Sequence, residues 1–213
     1  MTELKARLRL YLVTDAFLCT TPDLVTTVRL AVANGVTMVQ LREKTATSAE
    51  RVQMALALKE ALAGTGVPLI VNDDVAAAVA ADVDGAHIGQ GDMSTAKARA
   101  LLGPDKILGL SCETAQAVQA ADPALVDYLG LGPVFGTATK ADHAQPIGLH
   151  GLAQLVALSP LPNVAIGGLK SIHVSDVRES GADGMAVVSA ICGQADPAAS
   201  ARAFCALKAE EIF

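Results

Sequence analysis

The sequence predicts a single-domain α/β fold, a (β/α)8 TIM barrel. Three observations predict it: eight short β-branched runs, a longer helix-like segment after each, and enough apolar residues for one core. Runs of about six residues alternating with helical patterns are the signature of repeated βα units and a parallel sheet. The runs fall at 10–15, 38–43, 68–73, 85–90, 107–112, 127–135, 163–168 and 184–190. Eight strands close a parallel barrel, and 213 residues imply short loops beside a usual length of about 250.

Each element has its own warrant. The first run, Leu10-Tyr11-Leu12-Val13-Thr14-Asp15, stays apolar until its polar end, as a parallel strand buried on both faces does. The segment 22–34 opens with Pro22 at a first-turn position and closes on Asn34-Gly35. After the second run, 48–62 carries apolar residues at helical spacing and ends before Gly64. Gly181 stands at a third helix end, just before the eighth run. A doubly wound open sheet is the competing layout. It has fewer strands and a glycine-rich turn after the first strand, and the turn after run one lacks that motif. No linker or low-complexity tract divides residues 1–213.

Composition narrows the function classes. Hydrophobic residues make up 52% of the chain, enough to fill a sizeable core. The mean hydropathy of +0.42 raises the question of a membrane. Charged residues, glycine or proline interrupt every apolar stretch well short of the roughly 20 residues a span needs, so no membrane partner is expected. Met1 to Arg9 carries charge at Glu3, Lys5, Arg7 and Arg9 with no apolar core behind it, so a cytoplasmic enzyme is expected. Cys19, Cys112, Cys192 and Cys205 lack metal-type pairing and read as small buried side chains. A net charge of −6 argues against nucleic acid, whose phosphates need a basic surface. The sequence leaves open whether the chain forms a homo-oligomer.

In a barrel of this kind the active site lies at the carboxyl ends of the strands. Run two ends Gln40-Leu41-Arg42-Glu43-Lys44, and strand alternation puts Gln40, Arg42 and, where the strand continues, Lys44 on one face. Two cations aimed into a barrel mouth suit a diphosphate, bound by a bidentate arginine and a lysine point charge. The plainer reading is a solvated surface pair. Run three ends Asn72-Asp73 and run four is followed by Gln90-Gly91-Asp92, bringing two carboxylates to one end of adjacent strands. That suits Mg2+, which takes one or two carboxylates together with phosphate oxygens and water. Taken alone, Asp73-Asp74 reads better as the cap of a helix beginning Val75-Ala76.

After run six, 132–140 gathers glycine, two hydroxyls and a lysine, in the manner of an anion site. Run seven ends Ile166-Gly167-Gly168 and run eight contains Val188-Ser189. The loops after strands seven and eight are the common phosphate site of such barrels. Gly-Gly by itself serves tight turns equally well. Two separated anion sites imply two phosphorylated substrates. No Ser-His-Asp or Cys-His arrangement stands out in the sequence.

Taken in order, Gln40-Leu41-Arg42-Glu43-Lys44, Val71-Asn72-Asp73, Thr137-Ala138-Thr139-Lys140 and Ile166-Gly167-Gly168 resemble the thiamine-phosphate synthase family. The resemblance runs from Leu10 to Ile191. It implies a transferase of thiamine biosynthesis with two small-molecule substrates, a hydroxymethylpyrimidine diphosphate and a thiazole phosphate or its carboxylated form. It implies that Gln40, Arg42, Lys44, Asn72 and Lys140 bind the diphosphate half, with Ser111 near the pyrimidine and Asp73 and Asp92 holding Mg2+. Arg42, Lys44, Lys140 and Ser111 are then the catalytic set, while Thr137, Thr139, Gly168, Val188 and Ser189 bind the thiazole phosphate.

The chain departs from the family pattern at several points. Gly91 stands where an acidic residue is usual, Gly136 where proline is usual, and Glu113 where the superfamily commonly has histidine. The segment 141–145, with His143, is local to this chain and suggests no role. His87 faces the pyrimidine or serves as a satisfied core histidine, and His150 and His173 read as helix-surface residues. Glu113 has a plain alternative as a first-turn glutamate of the helix starting near Thr114. Two competing functions remain: a thiazole tautomerase-like isomerase on the same barrel, and a non-catalytic binder of thiamine intermediates.

Overall fold

The structure, a computed structural model, describes residues 3–137 and 145–205. Eight strands form a closed barrel in sequence order: β1 (Leu10–Val13), β2 (Met38–Leu41), β3 (Leu69–Asn72), β4 (Gly85–Ile88), β5 (Ile107–Cys112), β6 (Tyr128–Leu131), β7 (Asn163–Ile166) and β8 (Gly184–Val187). Every pairing is parallel, and β1 pairs with β8 through Tyr11 opposite Ala186 to close the ring. Helices α1 (Glu3–Arg7), α2 (Leu24–Ala33), α3 (Ser48–Leu62), α4 (Val75–Ala80), α5 (Thr95–Leu102), α6 (Ala115–Ala120), α7 (Gly148–Leu158), α8 (Val174–Glu179) and α9 (Pro197–Cys205) alternate with them. The closed order rules out the doubly wound sheet. No described helix is long and apolar enough to cross a membrane.

Strand alternation divides the core in two. Tyr11, Val13, Met38, Ile70, Tyr128, Val164 and Ala186 point inward and pack with Leu8 into a small inner cluster. Their neighbours, among them Leu12, Val39, Val71, Ile88, Leu110 and Leu131, face outward against the helices. Both faces are therefore buried, which is why the runs read as continuously apolar.

Most runs begin where predicted but end early: β1, β2, β4 and β7 each stop two residues short, because their last polar or glycine residues leave the sheet to form the mouth. Helix α3 matches its predicted span and opens with a capping box, Thr47 accepting from Glu50 N–H and the Glu50 carboxylate accepting from Thr47 N–H. The predicted helix at 22–34 begins later, since Asp23 is its cap and accepts from Thr26 N–H. Pro22 thus precedes the cap instead of filling the first turn. Gly35, Gly64 and Gly181 take positive φ just past three helix ends, as expected. Three cysteines are buried, but Cys205 is exposed at the last residue of α9, a correction to the reading of all four as buried.

The opposite rim is closed by a device repeated four times. Thr37, Asp84, Asp127 and Asp183, each directly before an even-numbered strand, accept through the side chain from the N–H of Leu10, Leu69, Leu108 and Asn163 at 2.7–3.0 Å. Each donates its own N–H back to the same residue's carbonyl. Asp127 also holds Arg99 at 2.6 Å, and Arg99 bonds the carbonyls of Gly103, Lys106 and Leu125. Asp127→Ala leaves the N–H of fully buried Leu108 without this acceptor, and we expect a loss of about 2 kcal/mol of stability. Urea unfolding with an unchanged midpoint would contradict that.

Candidate active site

A cavity of about 490 Å3 opens at the carboxyl ends of the strands, within the range of small-molecule sites. Its apolar floor comes from Val13, Val164, Ile166 and Ala186. Gln40, Arg42, Lys44, Asn72, Asp73, Asp92, Ser111, Thr137, Gly168, Val188 and Ser189 all line it. Thr139, Lys140 and His143 lie outside the described residues.

Arg42 and Lys44 follow the end of β2. The Arg42 backbone N–H is fixed by the hydroxyl of buried Thr14 at 3.1 Å, and its guanidinium sits 3.6 Å from the Asp15 carboxylate at the end of β1. Arg42 is therefore a held, partly buried cation facing the cavity, whereas Lys44 lines the same cavity but is exposed, so the surface reading fails for Arg42 alone. Strand β2 ends at Leu41 and does not carry the alternation on to either cation.

One backbone torsion separates Asp73 from Asp74. Asp73 continues the ladder by donating its N–H to His87 O, then takes φ +62, a left-handed conformation uncommon outside glycine. Asp74 turns back to cap α4, accepting from Ala77 N–H at 2.9 Å, and pairs with Arg51 at 3.1 Å. The capping reading therefore holds for Asp74, and Asp73 is left at the mouth. Asp92 returns toward β4 by accepting from Gly89 N–H at 2.8 Å, and its carboxyl comes within hydrogen-bonding reach of Asp73.

Loss of hydration pushes the Asp73 carboxyl up to about 6, aided by the charge and hydrogen bond of Asp92 and opposed by Asn72 and Arg42. An acid raised in this way binds its proton more tightly in the folded state. The contribution of this one group to stability is therefore lost as pH rises between the ordinary value near 4 and about 6. Urea midpoints at pH 4.5 and 6.5 should show a smaller loss in Asp92→Asn than in the wild type. Equal losses would contradict the pairing. Two carboxylates that repel one another beside a cationic arginine form a donor set suited to a hard divalent cation. Among the described residues no group of three metal-binding side chains occurs, so such a cation would complete its shell with ligand oxygens and water.

Across the mouth, Gly167 and Gly168 take φ +101 and +63. A Cβ at Gly168 would lie 2.6 Å from Gly136 O and 2.8 Å from Phe135 Cβ, so glycine here serves both the turn and the close approach of the loop before Thr137. His173 closes this side as well: its ring packs 4.5 Å from Phe135 and its Nδ1 accepts from Lys170 N–H. It is a capping and packing residue, which corrects its reading as a plain surface histidine, whereas His150 is exposed on α7. A Cβ at Gly91 or Gly136 meets nothing within 4 Å, so neither departure is forced by crowding.

Sequence reasoning missed part of the site. Both of the chain's two tyrosines, Tyr11 and Tyr128, meet beneath the cavity at 2.8 Å between hydroxyls. His87 bonds Tyr128 through Nδ1 and Ser111 through Nε2, each at 2.9 Å, so it faces the cavity and is satisfied at once. The structure thus brings a histidine beside a serine where the sequence suggested no such pair, with a tyrosine hydroxyl in place of an orienting carboxylate. The usable signal was parity, since Tyr11, His87, Ser111 and Tyr128 all fall on inward positions. Glu113 lines the cavity before Thr114, the cap of α6, so it stands outside the helix's first turn and the plain alternative of a first-turn glutamate does not hold.

The family described as thiamine monophosphate synthase has a model that matches residues 10–191. The chain belongs to this family. Two thiamine-phosphate synthases illustrate the relationship. That of Psychrobacter sp. (strain PRwf-1) is 52% identical over 89% of this chain and 90% of its own. That of Xanthobacter autotrophicus (strain ATCC BAA-1158 / Py2) is 53% identical over 92% and 93%. A thiamine phosphate pyrophosphorylase from Pyrococcus furiosus superposes with a TM-score of 0.88 at 32% identity, covering 99% of this chain and 100% of that one. A 3-hexulose-6-phosphate synthase, at 18% identity and a TM-score of 0.68, shares the barrel alone.

Proposed function

We propose that residues 1–213 act as one cytoplasmic catalytic domain that joins hydroxymethylpyrimidine diphosphate to thiazole phosphate, releasing diphosphate and forming thiamine phosphate. The observation that carries this reading is the pairing of Asp73 with Asp92 beside Arg42 in one cavity, facing Gly168 and Ser189 across the mouth. Asp73 and Asp92 would hold Mg2+, whose chemistry there is to neutralise charge on the departing diphosphate. Arg42 and Lys44, with Lys140, bind the same diphosphate and stabilise the negative charge it gains as the carbon–oxygen bond breaks. Gln40, Asn72 and Ser111 orient the pyrimidine. Thr137, Thr139, Gly168, Val188 and Ser189 place the thiazole so that its nitrogen attacks the freed methylene carbon. No protein nucleophile is needed. The test is a coupling assay with both phosphorylated halves, with and without Mg2+, following thiamine phosphate.

The position of Glu113 on the cavity wall keeps a second reading, thiazole tautomerase, open to test. Glu113 stands where the superfamily commonly has histidine, the side chain suited to moving a proton at neutral pH. Glu113→Gln should therefore retain near-normal coupling, and the wild type should show negligible isomerisation of the thiazole carboxylate phosphate. Fast Mg2+-independent isomerisation, abolished in Glu113→Gln, would overturn the synthase reading.

A further inference from the structure

Five side chains from five strands form one hydrogen-bonded chain beneath the cavity. Gln40 Nε2 donates to the Tyr11 hydroxyl at 2.7 Å, Tyr11 meets the Tyr128 hydroxyl at 2.8 Å, Tyr128 meets His87 Nδ1 at 2.9 Å, and His87 Nε2 meets Ser111 Oγ at 2.9 Å. Gln40, Tyr11, His87 and Tyr128 are all buried, while Ser111 is half-buried on the cavity wall. Space for the chain is left by glycine. A Cβ at Gly109 would fall onto both the Tyr128 hydroxyl and His87 Nδ1, the two atoms that must meet.

The direction of such a chain follows from counting protons. Burial holds both tyrosines well above their ordinary pKa, so each keeps its single hydroxyl hydrogen. An amide nitrogen can only donate, so Tyr11 accepts from Gln40. The Tyr11 hydrogen, with its residue 1% exposed, needs an acceptor of its own, and the Tyr128 oxygen supplies it. Tyr128 then donates to His87 Nδ1. In a neutral imidazole that leaves the proton on Nε2, which donates to Ser111 Oγ. The Ser111 hydrogen is thereby left to be donated, and the Ser111 side chain lines the cavity.

We propose that this chain runs one way, from Gln40 to Ser111. It fixes the Ser111 hydroxyl as a donor that reads a ring-nitrogen lone pair on the heteroaromatic half of the substrate. Tyr11, Tyr128 and His87 are positioning residues for that donor. The substrate part rests on the synthase reading above, whereas the direction is a property of the free protein.

The deciding measurement is the His87 tautomer in free, 15N-histidine-labelled protein, read by long-range 1H–15N correlation at about pH 8.5, two units above the ordinary imidazole value. The signal is assigned by its loss in His87→Asn. We expect the proton on Nε2 in the wild type and a mixture of tautomers in Gln40→Met, which removes the donor, and in Tyr128→Phe, which removes the link. In coupling assays Tyr128→Phe should raise KM for the pyrimidine diphosphate about tenfold, the worth of one neutral hydrogen bond. KM for thiazole phosphate should stay within about twofold. Combined with Ser111→Ala, the effects should be non-additive, since both remove one donor. A proton on Nδ1 in the wild type, or an unchanged tautomer in both variants, would overturn the proposed direction. The expected tautomers with no coupling activity would overturn the substrate assignment alone.

Discussion

Asp92→Ala is expected to lower kcat/KM for coupling about a thousandfold, the scale on which single electrostatic contacts to a departing charge act. The carboxylate proposed to hold Mg2+ also accepts from Gly89 N–H, so loss of the side chain frees the turn that carries it. Asp92→Asn removes the charge while leaving an oxygen for that turn, and should cost nearly as much if charge is the point. For the partner carboxylate, Asp73→Asn is the clean variant. Its φ of +62 suits asparagine, whereas alanine there adds about 1–2 kcal/mol of backbone strain unrelated to the chemistry. Excess Mg2+ should restore part of the rate in each variant. Wild-type rates from Asp92→Asn at limiting Mg2+ would remove the proposed metal site.

Arg42→Ala should cost about a hundredfold in kcat/KM, and the loss should be borne by the pyrimidine diphosphate. Arg42 stands 3.6 Å from Asp15 and within electrostatic reach of Asp73. Its removal leaves the Asp73 and Asp92 carboxylates facing the cavity without this cation, so the diphosphate meets repulsion where it had a partner. Arg42→Lys should recover less than full activity, since an ammonium cannot reproduce the two-pronged contact of a guanidinium. Thr137→Ala, at the opposite wall, should raise KM for thiazole phosphate and leave the diphosphate half-saturation unchanged. Initial rates with each substrate varied in turn separate the two. A rise in only the diphosphate constant for Thr137→Ala would place that loop on the wrong substrate.

Much of the architecture was legible because parallel strands buried on both faces are written as apolar runs. Run three shows where such reading stops. Nothing in Asn72-Asp73-Asp74 says which aspartate caps the helix and which faces the cavity. A single left-handed torsion decides it, and torsions follow from tertiary context. The strand ends were overestimated because residues such as Arg42 and Gln90 follow their strands without continuing the ladder, a matter of barrel closure that no local pattern records. The chain from Gln40 to Ser111 was hidden for a related reason. It joins β2, β1, β6, β4 and β5, and the contact of Tyr11 with Tyr128 spans 117 positions in sequence, so only the strand registers bring the two hydroxyls together. Arg42, Lys44, Asp73 and Asp92, which line the cavity, stand out in the sequence because charge just past the end of an apolar strand is conspicuous.

The central claim is that one cavity couples two phosphorylated heterocycles with the help of a divalent cation. It is tested most directly by mixing purified protein with hydroxymethylpyrimidine diphosphate and thiazole phosphate and following thiamine phosphate, with Mg2+ and with EDTA. The account predicts stoichiometric thiamine phosphate and diphosphate in the first tube and none in the second. Undiminished product in EDTA would contradict it, as would no product with Mg2+.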